Sequence, residues 1–441
     1  MLNALLDASL LNGAVLRGCY ILGCAFLPVL LIGSWGRKLP IGRWFLRLGI
    51  LASVGVVAGV VFTWWFSDVW DPLGISLSVP TRAWFCALLA GVGIAVGNLW
   101  KTRWWSKLLA ILAIPVIVSV GALGINADLG EYRTLRAAIL GTEIPPLTYS
   151  QSGSKAEDPE MIPTLQSWVA PLGIPVHGIV GHVSIPGTQS HFAARPAIVY
   201  LPPAALVPNP PALPVIIMLS GQPGQPSDIV DKAGLPGILD DYAKAHNGLA
   251  PIVVAADQLS SATVNPMCVD SPIGNSATYL TVDVPNWVRS HFRVQSDPKF
   301  WAIAGFSQGG TCAIQLGAGR PDVFGSLVDI SGELAPRNGS LSHTIAAGFD
   351  GSKEKYAAAT PLGLMAAHAP YRDTTAIIAV GKNDSRFAPG IAIITKAAIT
   401  AGMKVTSLEV AGTGHDWRCV IVALHKGLEV LGERFGIASK E

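Results

Sequence analysis

WAIAGFSQGGTCAIQLG, residues 301–317, is the part of the sequence that most directly indicates how the chain folds. It reads as an apolar strand, then Ser307 between glycines, then the start of a helix. The glycines are needed because a sharp strand-to-helix turn leaves no room for neighbouring side chains. The turn also puts Ser307 at a helix N-terminus, where free N–H groups favour developing negative charge. A plain packing turn is the alternative; the strand before and the helix after favour a nucleophile.

Short apolar strands and helical segments alternate around this stretch, over residues 166–441. Helical patterns such as YLTVDVPNWVRSHF and GIAIITKAAITAG separate them. This alternation predicts an α/β fold with a largely parallel sheet and helices on both faces. The strand candidates are HGIVGHVSIPG, RPAIVYLPP, LPVIIMLSG, PIVVAADQ, FWAIAGFS, SLVDISG, TTAIIAVG and KVTSLEVAG.

A nucleophilic serine needs a histidine to take its proton and a carboxylate to hold that histidine. In a hydrolase of this architecture the acid and then the histidine follow the serine along the chain. Asp384 follows the strand TTAIIAVG, and His415 lies in VAGTGHDWRC after the last strand. We therefore expect Ser307, Asp384 and His415 to form a catalytic triad.

The competing assignments are structural ones. Asp384 could be a turn or helix-cap residue. Asp416 is adjacent to His415 and is better suited to stabilising the first turn of the next helix. Three further histidines follow Ser307 without a triad-like context: His343, His368 and His425.

An oxyanion formed at Ser307 needs backbone N–H donors. Gln308, directly after the serine, is one expected donor. The other should come from MLSGQPG after the third strand. Pro223 has no N–H, so Gln222 is the expected donor and Gly221 the second candidate. The alternative is that SGQPG is only a turn.

The chain before this region is more apolar and predicts membrane-spanning helices. The whole chain is 50% hydrophobic and 14% charged, with mean hydropathy +0.45, whereas soluble chains carry about 25% charged residues. We predict a four-span transmembrane domain over residues 1–126, a linker over 127–165 and the hydrolase domain over 166–441. Each span needs roughly 20 apolar residues, and the four runs are Ala14–Trp35, Phe45–Phe66, Ala83–Leu99 and Trp105–Ile125.

Loop charges predict the orientation of these spans. Asp68 and Asp71 lie in the middle loop, whereas the first and third loops are basic. By the positive-inside rule the basic loops are cytoplasmic. Both termini and the hydrolase domain are then expected outside the cell membrane. The basic residues are Arg37, Lys38, Arg43, Lys101, Arg103 and Lys107.

Several partner classes find no support in the sequence. A net charge of +2 without a basic cluster gives no reason to expect nucleic acid. No residues are spaced like a metal or phosphate site, since His177, His182 and His191 are too loosely arranged. We expect no metal and no cofactor, and the oligomeric state is not fixed.

Three cysteines fall in the domain expected outside the membrane, where disulfides form. Cys312 lies on the helix after Ser307, and Cys268 on a loop expected to border the site. The sequence leaves open one disulfide between them or three buried thiols including Cys419.

Together these residues resemble the putative-esterase family of α/β-hydrolases, which includes esterase D and the antigen 85 mycolyltransferases. The resemblance covers roughly residues 175–435, and the membrane-anchored arrangement is similar to actinobacterial members. It implies the α/β-hydrolase fold, the triad and the oxyanion donors given above. The stretches that carry it are RPAIVYLPP, PVIIMLSGQPG, CVDSPIGNSATYLTVDVPNWV, GFSQGG and GTGHDW.

Two positions depart from antigen 85, whose aspartate and arginine at the oxyanion loop contact trehalose. Ser220 and Pro223 stand there instead, which argues against trehalose mycolyl transfer. Trp417 matches the tryptophan that follows the family histidine and is expected to wall the site. The antigen 85 acid is a glutamate, whereas Asp384 is the acid expected here.

The expected function is hydrolysis of an acyl ester of a lipid or cell-envelope component by a membrane-anchored serine esterase. Acyl transfer to an envelope acceptor would use the same triad. A non-catalytic membrane scaffold is the third hypothesis, against which the intact Ser, Asp, His order argues.

Overall fold

The computed structural model describes residue 3 and residues 6–32, 40–71, 74–100, 102–141, 143–148, 165 and 167–437. The chain divides into two compact units, Met1–Gly141 and Thr142–Glu441. Residues 127–141 of the predicted linker thus belong to the first unit. Arg37, Lys38 and Lys101, which were used to predict orientation, lie outside the described residues, as does most of 149–166.

The first unit is helical. Four of its helices are long and apolar enough to cross a membrane, which indicates membrane association. The second is continued by a π-helical turn over Trp65–Trp70. The helices are α1 (Ala14–Ile32), α2 (Ile41–Trp64), α3 (Val79–Gly97), α4 (Trp104–Leu129) and the short α5 (Leu135–Leu140).

Glycines allow α2 and α3 to approach closely. A Cβ on Gly55 would lie 2.3 Å from the carbonyl oxygen of Leu89, and one on Gly93 would lie 2.4 Å from that of Leu51. Neither distance is possible for a real side chain. Small residues at such contacts are how helices pack where burial from water contributes little.

The second unit is built on one eight-stranded sheet, and each predicted strand stretch contains one of its strands. The order across the sheet is β1-β2-β4-β3-β5-β6-β7-β8. β2 is antiparallel to both of its neighbours, β1 and β4, and the other pairs of neighbouring strands are parallel. The strands are β1 (Ile179–Val183), β2 (Ala197–Leu201), β3 (Val215–Leu219), β4 (Ile252–Ala255), β5 (Trp301–Phe306), β6 (Ser326–Ile330), β7 (Thr375–Gly381) and β8 (Lys404–Val410).

Helices connect and cover these strands, as the alternating pattern predicts. The helix that follows β5 packs on β3, β5 and β6, and the last helix packs on β6, β7 and β8. The helices are α6 (Asp228–Asp231), α7 (Leu235–Ala245), α8 (Ser276–Thr278), α9 (Val284–His291), α10 (Gln308–Gly319), α11 (Leu341–Gly348), α12 (Lys353–Ala359), α13 (Pro361–His368), α14 (Ala388–Thr400) and α15 (Trp417–Phe435). Tyr279–Asp283 form a π-helical turn, Pro203–Leu206 and Pro298–Phe300 are 3-10 turns, and Asp270–Ser271 pair with Gly274–Asn275.

Part of the predicted linker is ordered beside this sheet. His182 of β1 donates its N–H to Pro145 at 2.8 Å and accepts from the N–H of Leu147 at 3.0 Å. Edge strands have unpaired backbone groups, so residues 143–148 cover the outer edge of β1.

The parallel strands share one carboxyl edge. The strands β5, β7 and β8 end there at Phe306, Gly381 and Val410. Ligand and catalytic sites of open α/β sheets lie at this edge, and the residues that follow these three strands include Ser307, Asp384 and His415.

Candidate active site

Ser307 occupies a strained turn between β5 and α10. Its φ is +58°, a region that non-glycine residues adopt only when surrounding structure holds them there. The flanking glycines are required by close contacts: a Cβ on Gly305 would lie 2.1 Å from the carbonyl oxygen of Gly309, and one on Gly309 would lie 2.4 Å from that of Ser220. The N–H of Ser307 donates to Ile330 at 2.8 Å. This is the sharp turn that the sequence predicts.

His415 and Asp384 are in direct contact. The Nδ1 atom of His415 lies 2.8 Å from Oδ2 of Asp384, with side chains 5% and 2% exposed. The other carboxylate oxygen accepts the N–H of Phe387 at 3.2 Å. The imidazole stacks on Phe387 at 4.1 Å between ring centroids, and Phe306 lies 4.8 Å away. The ring is therefore fixed at one nitrogen and by two aromatic neighbours.

The second nitrogen of His415 is available for proton transfer. Its Nε2 is buried and has no hydrogen-bond partner. With Nδ1 donating to the carboxylate, a neutral imidazole carries its lone pair on Nε2. Ser307 directly follows Phe306, which packs against this ring. Within the described residues, the structure joins His415 to Asp384 but forms no hydrogen bond from Ser307 to Nε2.

The expected oxyanion residues flank the serine. Gln308 is the first residue of α10, so its N–H belongs to the first turn, which has no intrahelical acceptor. A Cβ on Gly221 would lie 3.4 Å from the Cβ of Ser307, which places the loop after β3 beside it. Gln222 is half-buried and donates its side-chain amide to Thr263 at 3.1 Å. The choice between Gln222 and Gly221 as donor stays a prediction.

A buried amide links the two oxyanion segments, and the sequence reasoning missed it. Nε2 of Gln258 donates to the carbonyl of Ser220 at 2.6 Å and to Oε1 of Gln308 at 2.9 Å. Gln308 in turn donates to Oδ1 of Asn265 at 2.9 Å. Gln258 is fully buried. Gln258 follows the carboxyl end of β4, in PIVVAADQ, and this position is the sequence feature that could have indicated that it lies near the site.

The remaining predicted residues lie around this centre. Trp417 begins α15 and is 6% exposed, with its ring 5.2 Å from that of Phe306. Asp416 accepts the N–H of Cys419 at 3.0 Å and caps the same helix. Cys268 and Cys312 are joined by a disulfide.

Cys419 is buried and has a free thiol. Burial raises the pKa of this thiol to about 12, so it is no candidate nucleophile.

Two carboxyl groups with raised pKa values were not predicted from the sequence. Asp329 on β6 is fully buried, and this burial raises its pKa to about 7. Its Oδ1 accepts the N–H of Gly332 at 2.9 Å, whereas Oδ2 has no partner. Burial likewise raises the pKa of Glu333 to about 7, against the opposing effect of Arg337 and Arg386. The described residues contain no group of three or more metal-ligating side chains.

Comparison with known proteins assigns the family. A family model described as putative esterase matches residues 192–425, more than half of the chain. The chain belongs to the putative esterase family. The matched residues include the Ser307 turn, the loop after β3 and the Asp384–His415 pair. The resemblance predicted from the sequence is thereby confirmed, and ester hydrolysis by a serine enzyme is the reaction class of this chain.

Two kinds of relative accompany this assignment. An uncharacterized protein of Corynebacterium glutamicum is 29% identical over 408 residues, which cover 90% of this chain and 91% of that protein. A solved ferulic acid esterase is 17% identical, with TM-score 0.51 over 59% of this chain and 99% of that one. An S-formylglutathione hydrolase from Agrobacterium tumefaciens is 20% identical, with TM-score 0.49 over 59% and 97%. The predicted α/β-hydrolase fold is confirmed.

Proposed function

We propose that this protein is a membrane-anchored serine esterase that hydrolyses acyl esters of lipid or cell-envelope components through Ser307, His415 and Asp384. The observation that carries the proposal is the imidazole of His415. Its Nδ1 is bonded to Asp384, and its buried Nε2 has no partner. His415 follows β8 at the carboxyl edge of the sheet, and Ser307 follows β5 at the same edge.

The first half of the reaction forms an acyl-enzyme. The hydroxyl of Ser307 attacks the ester carbonyl as its proton passes to Nε2 of His415. The negative charge on the carbonyl oxygen is stabilised by the N–H groups of Gln308 and Gln222. The carbon–oxygen bond to the alcohol then breaks, and His415 returns the proton to the leaving alcohol.

The second half releases the acid. Water attacks the acyl carbon and gives its proton to His415, and the bond to Ser307 breaks as its oxygen regains that proton. Asp384 stays ionised and stabilises the imidazolium formed in each half. The net reaction consumes one ester and one water and yields one acid and one alcohol.

Location supports the substrate class. The four long helices fit a membrane anchor. Arg43 and Lys107 lie in the first turns of α2 and α4, and Arg103 directly precedes α4, so these cations fit the helix ends predicted to face the cytoplasm. With both termini outside, the site meets esters of the outer membrane surface and the envelope.

Labelling of intact cells tests both the serine and its side of the membrane. A fluorophosphonate probe that cannot cross the bilayer should label the wild-type protein and fail on Ser307→Ala. The control is Ser331→Ala, since Ser331 directly follows the neighbouring strand β6 and also has positive φ. Label that appears only after lysis contradicts the orientation. Equal labelling of Ser307→Ala and wild type, or undiminished ester turnover by Ser307→Ala, contradicts the nucleophile.

A further inference from the structure

A short uncharged segment with three highly exposed aliphatic side chains precedes β1. Residues 161–194 contain no Asp, Glu, Lys or Arg, and we call residues 168–177, WVAPLGIPVH, the apolar segment. Leu172 is fully exposed, Val169 is 82% exposed and Val176 is 69% exposed. No other large apolar side chain in the described part of the α/β unit is more than 59% exposed. Single exposed apolar residues are ordinary, whereas a cluster of them marks an interaction surface.

Hydrogen bonds hold both ends of the apolar segment. At its start, Nε1 of Trp168 donates to the carbonyl of Asn247 at 3.0 Å. At its end, Nδ1 of His177 lies 3.0 Å from Oδ2 of Asp240, whose Oδ1 accepts the N–H of Gly178 at 2.8 Å. The exposed side chains therefore belong to a fixed loop, which a partner does not need to order when it binds.

The middle of the apolar segment packs one aliphatic side chain against the α/β unit. Ile174 is half-buried, and its N–H donates to the carbonyl of Pro171 at 3.2 Å. A Cβ on Gly248 would lie 2.5 Å from Cδ1 of Ile174, so this side chain packs closely on the turn after α7. Leu172 and Val176, two residues before and after Ile174, are the exposed ones. The apolar segment thus has a packed side and an exposed side.

A lipid surface is the partner that the exposed side fits. The same chain has four helices long and apolar enough to cross a membrane, and the last of them ends at Leu129, 40 residues before Val169. Aliphatic and tryptophan side chains without charged neighbours insert at the boundary between headgroups and acyl chains. Protein partners are ordinarily met by a polar rim, and the apolar segment offers no Asp, Glu, Lys or Arg for one.

The apolar segment lies at the edge of the sheet opposite the proposed site. It leads into β1, whose first residue, Ile179, pairs with Leu201 at the end of β2. Because β2 is antiparallel to β4, this end of β1 is at the amino edge of the parallel strands. Ser307 and His415 follow strands at the carboxyl edge. A lipid surface in contact with the apolar segment would therefore face the edge without the site.

We propose that the apolar segment inserts Val169, Leu172 and Val176 into the surface of the membrane, so that the carboxyl edge of the sheet faces away from the lipid. The contact itself does not depend on esterase activity. Its consequence for the substrate rests on the proposed function: the ester belongs to an envelope component that extends beyond the membrane surface, and not to a lipid within it.

Spin labelling of the full-length protein in lipid vesicles tests this contact. Single cysteines replace Leu172 or Val176, and in the matched control Leu341, an apolar residue 59% exposed at the start of α11, which follows β6. The background has alanine in place of the three free cysteines of the helical unit, and it keeps the disulfide and the buried Cys419. Molecular oxygen concentrates in hydrocarbon and a nickel chelate stays in water, so the ratio of their collision rates with the label reports its surroundings.

The labels in the apolar segment should report lipid. We expect the ratio of oxygen to nickel collision rates to be about threefold or more higher for Leu172→Cys and Val176→Cys than for Leu341→Cys. High rates with both reagents at Leu172→Cys would show a segment in water and overturn the inference. Low rates with both would show that protein covers the segment, which overturns it equally. A ratio at Leu341→Cys as high as in the segment overturns the orientation.

A charge in the apolar segment should break the contact. In the Val176→Cys protein, Leu172→Asp should lower the ratio to that of the Leu341→Cys control, because a carboxylate is costly to hold among acyl chains. Leu172→Ile keeps the size and the apolar surface and should leave the ratio as it is. An unchanged ratio in the Leu172→Asp protein would contradict insertion of this residue.

These measurements need no turnover, which separates the inference from the proposed function. Labels in water, together with loss of turnover in Ser307→Ala, overturn the lipid contact and keep the esterase. Labels in lipid, together with undiminished turnover in Ser307→Ala, keep the contact but overturn the serine mechanism and the consequence drawn for the substrate.

Discussion

Glycine has different structural roles in the two units of this chain. In the helical unit, Gly55 and Gly93 let α2 and α3 bring their backbones together. In the α/β unit, Gly305 and Gly309 let the chain fold back on itself around Ser307. The steric requirement is the same, since a Cβ would collide with a carbonyl oxygen in each case. A methyl group should loosen packing in the first unit but displace the proposed nucleophile, Ser307, in the second.

Substitutions in the proposed triad should cause the greatest loss of kcat. His415→Gln removes the proposed base and should lower kcat by about 10⁴ or more. Asp384→Asn should have a comparable effect, because the amide no longer selects the tautomer with its lone pair on Nε2. Turnover of a p-nitrophenyl ester, with circular dichroism as a folding control, measures both. A loss below tenfold in either variant would contradict the proposed roles.

Gly309→Ala tests whether the glycine at the Ser307 turn is needed for activity. The added methyl would meet the Ser220 carbonyl, so it should push apart the turn and the loop after β3. We expect kcat to fall about 10² to 10³, on the scale of a lost oxyanion donor. Turnover of a p-nitrophenyl ester provides the measurement. A wild-type kcat would show that the turn tolerates the methyl group.

Gln258→Leu tests whether the amide link positions the oxyanion donors. The substitution leaves the Ser220 carbonyl and the Gln308 amide without their shared donor. We expect kcat to fall about 10- to 100-fold with little change in KM, because the donors act mainly on the transition state. Gln258→Glu keeps the size but not the donor and should not restore kcat. A rise in KM with unchanged kcat would show a ground-state role instead.

Gly55→Ala tests whether the glycine contact between α2 and α3 affects stability without affecting kcat. The methyl would meet the Leu89 carbonyl, and overpacking of this kind costs about 1–3 kcal/mol. Thermal unfolding of the helices in detergent should shift to lower temperature, while kcat of the folded fraction stays within twofold of wild type. A loss of kcat as large as that of Gly309→Ala would remove the distinction between the units.

A pH-dependent change confined to stability is expected from the carboxyl beside Gly310. A Cβ on Gly310 would lie 2.6 Å from Oδ1 of Asp329. Burial raises the pKa of Asp329 from 3.8 to about 7, so the folded state holds a proton that the unfolded state releases. Between these values the contribution of Asp329 to stability falls as pH rises. Asp329→Asn keeps an acceptor for Gly332 but cannot ionise. Its unfolding free energy relative to wild type should rise from pH 4 to pH 8; a constant difference would contradict the raised pKa.

Much of the fold could be predicted because it depends on local patterns. The alternation of apolar strands with helices places all eight strands, and the Gly-x-Ser-x-Gly turn identifies Ser307 before any contact is known. Chain order and strand ends then select Asp384 and His415. The pairing of residues 143–148 with β1 was not predicted, because PP and polar residues are typical of a loosely packed connection.

The contacts that support the site could not be predicted from the sequence, because they join residues that are far apart along the chain. Gln258 acts on Ser220 and Gln308, which lie 38 and 50 positions away along the chain. A pocket of about 500 Å³ likewise brings Arg337 together with Arg386, which come from loops after different strands. No periodicity marks such residues, since their meeting depends on how distant loops pack at the sheet edge.

The disulfide has a consequence for how a cell makes this protein. Cys312 lies one helical turn after Gln308, whose side-chain amide is 3.2 Å from its sulfur, and Cys268 anchors the loop beside it. Disulfides form in oxidising compartments and are rare in the cytoplasm. On the proposed topology, a chain that folded before export would therefore carry two thiols next to Gln308, the expected oxyanion donor. On the proposed topology, the disulfide forms only after the α/β unit has left the reducing side of the membrane, so the site is completed at the last stage of biosynthesis.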